Sequence, residues 1–215
     1  MYNNHNVDAI ILARKNSKRL LNKNVINYKG KMLFEWSIIQ AIKSKIFSNI
    51  IVSSDSEKII EFSQKIKEVT ALKRDKYLSR SSTKSESVIE DLINNNHIKS
   101  EFFMLLQPTS PDRRVYDIKK CYFNSIKLNL DSLISLSDKK NIKKFNKSCY
   151  LYKNSKFNFI NKKNIYFFNG SIYLVKTKHF VKYKSLYSNN IQYAHFMPKK
   201  FSRDIDTKKD LKSNR

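Results

Sequence analysis

The chain predicts an α/β protein with a mostly parallel central sheet, and three observations carry that prediction. Short apolar runs alternate with amphipathic stretches, the pattern of strands joined by crossover helices. With 215 residues, 40% of them hydrophobic, the chain is long enough to bury a sizeable core in one domain. No internal repeat or long flexible linker divides it.

"VDAIILA" (7–13) reads as a buried strand. "MLFEWSIIQAIKSK" (32–45) reads as a helix with Leu33, Trp36, Ile39 and Ile42 or Lys43 near one face, and "NIIVSS" (49–54) as a second strand. Asp55 or Ser54 is placed to cap the next helix, 56–67. A helix over 84–97, a strand over 102–107, a helix from Val115 and a strand over 131–136 continue the alternation.

Residues 138–168 then turn Lys- and Asn-rich with interleaved aromatics. They predict an excursion from the main sheet, a hairpin-like flap or dimerisation arm, within a single domain of 1–215. The pattern resumes with a strand over 171–176, a short helix, a strand over 191–197 and a last helix opening at Thr207.

Lys and Arg outnumber Asp and Glu by 43 to 18, a net charge of +25. Such a balance suits nucleic acid, a membrane surface or a polyanionic small molecule. The excess is spread along the whole chain, with abundant Asn and Ile and only two Gly and three Pro, so most of it reads as compositional drift rather than as a nucleic-acid stripe. Cys121 and Cys149 stand far apart, as do His5, His97, His179 and His195, which indicates neither a disulfide framework nor a transition-metal site. No apolar run approaches the roughly 20 residues needed to span a bilayer, and "MYNNHNVDAI" lacks a signal-peptide pattern. A cytoplasmic location without membrane insertion is expected.

Three segments carry candidate chemistry. "ARKNSKRLLNKN" (13–24) leaves the first strand and offers guanidinium, hydroxyl, ammonium and backbone N–H groups suited to phosphate. It has neither the Walker A pattern nor the GxGxxG pattern. "LLQPTSPDRR" (105–114) runs a strand into a loop stiffened by Pro108 and Pro111, with Gln107, Thr109 and Ser110 as hydrogen-bonding groups. "SRDIDTKKDL" (202–211) sets Asp204 and Asp206 two residues apart, so that an extended chain presents both carboxylates on one side for a divalent ion. Helix capping by Asp206 or Thr207 is the plain alternative.

Together with "IIVSSDSEKI" (50–59) and "NGSIYLVK" (169–176), these segments resemble, in order and spacing, the motifs of the acylneuraminate cytidylyltransferases, the CMP-sialic acid synthetases. The resemblance covers nearly the whole chain. It implies a Rossmann-like nucleotidyltransferase fold, usually dimeric, that condenses CTP with a nine-carbon 2-keto sugar acid and releases pyrophosphate. Carried across, Arg14, Ser17, Lys18, Lys23, Asn24 and Arg74 match the nucleotide-binding residues, with Arg14, Lys23 and Asp206 as the catalytic ones. Gln107, Ser110 and Asn169 match the sugar site, and Asp204 and Asp206 the metal pair, implying Mg²⁺. Lys15 and Arg19 carry no matched role and read as general basicity.

The chain departs from the family pattern at Asn16, where the family has Gly, and at Asp75 and Ser81 in the 74–86 loop. Asn is the non-Gly residue that best tolerates a left-handed backbone, so the loop shape is expected to survive at Asn16. "NGSIY" fits the sialic or legionaminic branch better than the pseudaminic one. A cytidylyltransferase for an eight-carbon acid, a degenerate nucleotide-binding member and a basic nucleic-acid module with the aromatics of 138–168 as stacking platform are the alternatives.

Overall fold

A ten-stranded sheet organises the chain in a computed structural model that describes residues 6–17, 19–138 and 143–212. The first half runs β1 (Val7–Leu12), a small hairpin of β2 (Asn27–Tyr28) and β3 (Lys31–Met32), α1 (Leu33–Ser44), β4 (Asn49–Ser54), α2 (Glu57–Gln64), β5 (Val69–Lys73), α3 (Ser85–Asn94) and β6 (Phe102–Leu106). The second half runs α4 (Val115–Lys127), β7 (Ser132–Ser137), β8 (Lys144–Phe145), β9 (Cys149–Lys153), β10 (Lys156–Ile160), β11 (Tyr166–Lys176), α5 (Thr177–Tyr183), β12 (Gln192–Phe196) and α6 (Lys208–Lys212).

The spatial order is β10-β9-β12-β7-β11-β6-β1-β4-β5, with β8 beside β11. β5, β4, β1 and β6 are parallel neighbours, as are β7, β12 and β9. β11 runs antiparallel between β6 and β7, and β10 returns antiparallel along β9. The expected mostly parallel sheet is therefore present.

Apolar residues on both faces of the central strands explain why they read as continuous runs. Val7, Ala9 and Ile11 pack with Phe34 and Ala41 of α1 and Ile118 and Cys121 of α4. Ile10 packs on the opposite side with Ile89 and Leu92 of α3 and Phe180 of α5. Cys121 and Cys149 are buried free thiols.

Four local expectations are corrected. The buried stripe of α1 is Leu33, Phe34, Ser37, Ile38, Gln40, Ala41 and Ser44, and Trp36, Ile39 and Ile42 are only half-buried. Polar residues sit in that stripe because each has a partner: Ser37 Oγ donates to Gln107 O, Gln40 Nε2 to Pro111 O and Ser44 Oγ to Ala41 O. Hydrophobic spacing alone misses them. Asp55 does not cap α2, whose N-cap is Ser56; its carboxylate instead accepts from Lys15 N at 2.6 Å. Among the described residues of the first loop Asn22 is left-handed, φ 52°, and Asn16 is not.

Residues 149–160 do form a hairpin, but it extends the main sheet instead of leaving it, since β9 pairs in parallel with β12. Its turn falls at Asn154 and Ser155, φ 53° and 64°. Cys149, Leu151 and Ile160 join a buried apolar cluster with Ile134, Phe145 and Ala194, while Tyr150, Tyr152, Phe157 and Phe159 stack among themselves and with Tyr193 and His195. β5 was also unforeseen: it is a short, half-exposed edge strand.

Candidate functional site

Parallel strands bring their carboxyl ends to one edge of the sheet, and ligands of open α/β sheets bind there. The loop after β1 is held in place from both sides. Ala13 N donates to Ser53 O at 3.0 Å, and Ser54 Oγ to Ala13 O at 2.6 Å. Asn24 Nδ2 donates to Arg14 O at 2.8 Å, closing the loop on itself, and Arg14 Nη1 reaches Arg80 O at 3.2 Å.

Arg74 follows β5 and is buried, with Nε donating to Ser53 Oγ at 3.1 Å and Nη2 to Ser53 O at 2.6 Å. Burial pulls its guanidinium down to about 10, opposed by Asp55 and assisted by Arg14, which leaves it charged at neutral pH. Beneath the loop after β6 lies Arg113, also buried. It donates to Ser171 O at 2.7 Å, Ser37 Oγ at 2.9 Å and Gln40 Oε1 at 2.8 Å. Burial lowers it to about 9. This arginine props up the segment that presents Gln107, Pro108 and Thr109.

These loops enclose a cleft of about 220 Å³. Arg14, Ser17, Lys23 and Asn24 line it from the segment after β1, Arg74, Arg80 and Lys84 from the segment after β5, and Gln107 and Thr109 from the segment after β6. Leu12, Leu78 and Val88 add apolar surface, and no carboxylate is among the lining residues. Leu78, Arg80, Thr83 and Lys84 also line a wider neighbouring groove of about 550 Å³. Five cations and no anion make the cleft a receptor for a polyanion.

Asp204 and Asp206 lie on the segment after β12, tied to the cleft by Ile205 N, which donates to Thr109 O at 2.8 Å. Burial raises the Asp204 carboxyl, and the nearby Asp206 charge raises it further, against a hydrogen bond from Thr109 and the charges of Lys23 and Arg19. Asp206 is 8% exposed and is paired with Lys23 Nζ at 2.6 Å and Arg19 Nη2 at 2.7 Å. No group of three or more His, Cys, Asp or Glu able to hold a metal occurs among the described residues. Two carboxylate oxygen donors beside a cationic cleft fit Mg²⁺, which is commonly held by one or two carboxylates with substrate phosphates and water.

The structure thus brings Arg14, Ser17, Lys23, Asn24, Arg74 and Gln107 to one cleft, with Asp204 and Asp206 next to it. Lys18 lies outside the described residues. Ser110 and Asn169 are buried and do not line the cleft. Asn169 Oδ1 accepts from Ser135 Oγ at 2.6 Å and Ser171 N at 3.1 Å, at the register shift of β11. Arg80, Lys84 and Arg19 were missed. The first two follow β5, and recognition of that strand would have put their loop at the carboxyl edge; nothing local to the sequence ties Arg19 to Asp206.

Residues 9–214 match the model of a family described as cytidylyltransferase. The chain belongs to that cytidylyltransferase family. Among its relatives, a pseudaminic acid cytidylyltransferase of Campylobacter jejuni is 31% identical over 151 residues, 70% of this chain and 59% of that protein. An N-acylneuraminate cytidylyltransferase of Streptococcus agalactiae is 33% identical over 134 residues, 60% of this chain and 32% of that protein. The chain therefore spans under two thirds of the length of these cytidylyltransferases. A solved CMP:2-keto-3-deoxy-manno-octonic acid synthetase in complex with CTP superposes with a TM-score of 0.68 at 13% identity, over 94% of this chain and 93% of that one. At that identity the likeness speaks for the shared nucleotidyltransferase fold alone.

Proposed function

We propose that the chain is an enzyme that condenses CTP with a nonulosonic acid, giving the CMP-sugar and pyrophosphate. The observation that carries this function is the cleft lined by Arg14, Lys23, Arg74, Arg80 and Lys84 without a carboxylate, in a member of the cytidylyltransferase family. Both substrates are anions, and together they match that charge. The relatives are named for pseudaminic as well as N-acylneuraminate acceptors, so the acceptor is assigned as a nonulosonic acid without the narrower preference drawn from "NGSIY".

Arg14, Ser17, Lys23 and Asn24 take the phosphates, Arg74 stands beside the nucleotide and Gln107 faces the acceptor. The anomeric hydroxyl attacks the α-phosphorus in line. The new O–P bond forms as the bond to the pyrophosphate oxygen breaks, the hydroxyl proton passes to solvent and charge builds on the leaving group. Lys23 and Arg14 stabilise that charge from fixed positions. Asp204 and Asp206 would hold Mg²⁺, which would supply further charge neutralisation. Asn169 acts from behind the cleft by fixing the bend of β11 through Ser135 and Ser171.

The same proposal includes a homodimer and a cytoplasmic location, where CTP is supplied. The outer edge of β10, with Phe159 60% exposed, supports the former. No helix among the described residues is long and apolar enough to cross a membrane.

The test is incubation of the pure protein with CTP, Mg²⁺ and a panel of sugar acids, with pyrophosphate release as readout. Release with at least one nonulosonic acid is expected, and its loss in Asp206→Ala. CTP binding without release for any acid would sink the catalytic assignment, and salt-sensitive oligonucleotide binding without CTP preference would favour a nucleic-acid module.

A further inference from the structure

Both oxygens of Asp206 are committed to cations of the first loop. Lys23 Nζ stands 2.6 Å from Oδ1 and Arg19 Nη2 stands 2.7 Å from Oδ2. The Asp206 and Lys23 side chains are nearly buried, at 12% and 14% exposure, whereas Arg19 reaches in from a side chain 56% exposed. The backbone that carries the carboxylate is anchored. Asp206 N and Thr207 N both donate to Asp210 Oδ2, at 3.1 and 2.8 Å, and Ile205 N is anchored on Thr109 O. The exposed partner in this arrangement is Arg19.

A carboxylate with both oxygens in short charge-assisted contacts has little capacity left for a divalent cation, which must displace those cations and overcome their repulsion. Polyphosphate oxygens offer the same cations an alternative partner, and Lys23 already lines the cleft that would receive them. Resting on the function proposed above, we propose that Arg19 is a positioning residue that, with Lys23, shields Asp206 in the nucleotide-free protein and yields it to the metal once the nucleotide's phosphates engage the two cations. Phosphate and metal then bind cooperatively, since each supplies a counter-charge that the other withdraws, and the coupling is reciprocal.

The probe is Mn²⁺ alone, titrated into the nucleotide-free full chain and followed by the electron paramagnetic resonance signal of the free ion. Arg19→Ala is expected to bind Mn²⁺ about tenfold more tightly than wild type, within the usual range of such couplings. Arg19→Lys is expected to keep the wild-type affinity, and Arg19→Ala in an Asp206→Asn background to show no gain. Arg19→Gln serves as a second neutral variant if Arg19→Ala folds poorly. Equal Mn²⁺ affinity in wild type and the neutral variant, including no binding in either, overturns the shield. Pyrophosphate release is scored separately. A protein that turns over without an Arg19 effect loses only this inference, and one with the Arg19 effect but no turnover loses only the catalytic assignment.

Discussion

Under the cleft, β4, β1 and β6 bury apolar side chains against helices on both faces, whereas toward the other edge Tyr150 and Tyr152 of β9, Phe157 and Phe159 of β10 and Tyr193 and His195 of β12 set rings side by side. The rings form a ladder: Tyr150 stacks on Tyr193 at 5.3 Å, Tyr152 on His195 at 5.8 Å, and Phe157 meets Tyr193 edge-on at 5.4 Å. α4 packs on this half with a buried ionic group, in which Asp117 accepts from His195 Nε2 at 2.9 Å and from Arg114 Nε and Nη2 at 2.8 and 2.7 Å. Both halves bury a charge: Arg113 lies beneath the cleft loops, and Asp117 lies between α4 and β12. The cleft half differs in that its remaining cations line the loops at the strand ends.

The comparison is tested most severely in the cleft loops. Lys23→Ala is expected to lower kcat by about 10²–10³-fold, as loss of one preorganised donor to the leaving group does. A near-normal rate of pyrophosphate release would remove Lys23 from that role.

Beneath the loops the expected effect is on stability. Arg113→Ala leaves Ser171 O, Ser37 and Gln40 without their buried partner and is expected to cost about 3 kcal/mol in urea unfolding. Retained stability would mean that water replaces the guanidinium.

In the outer half, Asp117→Asn is expected to cost about 2 kcal/mol near neutral pH. Burial pushes the Asp117 carboxyl up, but the hydrogen bonds from His195 and Arg114 outweigh it and hold it below the usual carboxylate range. A carboxyl depressed in the folded state stabilises above its unfolded value and loses that contribution as pH falls through the folded one. Wild type should therefore lose stability relative to Asp117→Asn as pH falls below about 4, and parallel pH profiles would contradict the assignment. Last, Phe159→Ser is expected to change stability by about 0.5 kcal/mol or less. A larger loss would show that the ring ladder, and not the aliphatic face, holds β10.

Much of the cleft half was legible because its strands are continuous apolar runs and its chemistry sits immediately after them. Arg14, Ser17, Lys23, Asn24 and Gln107 all follow strands that the apolar pattern identifies. β9 and β10 were legible only as a hairpin-like flap or arm and not as strands of the main sheet, since one face is built of Tyr and Phe among Lys and Asn, and a ladder of rings has no aliphatic period to detect. The face of α1 was misread because Ser37 and Gln40 are buried through hydrogen bonds to the loop after β6 and to Arg113, partners remote in sequence.

Local composition and motif order determined the element types, the family and the residue classes at the strand ends, since these depend on neighbours within a turn or a strand. Tertiary structure decided which members of one basic loop matter and how. Arg14 and Lys23 face the cleft, Lys15 serves through its backbone N–H, and Arg19, indistinguishable in sequence from background charge, meets Asp206. Only the folded chain sets such a pairing, because an ion pair depends on distance in space and its two members here come from opposite ends of the sequence.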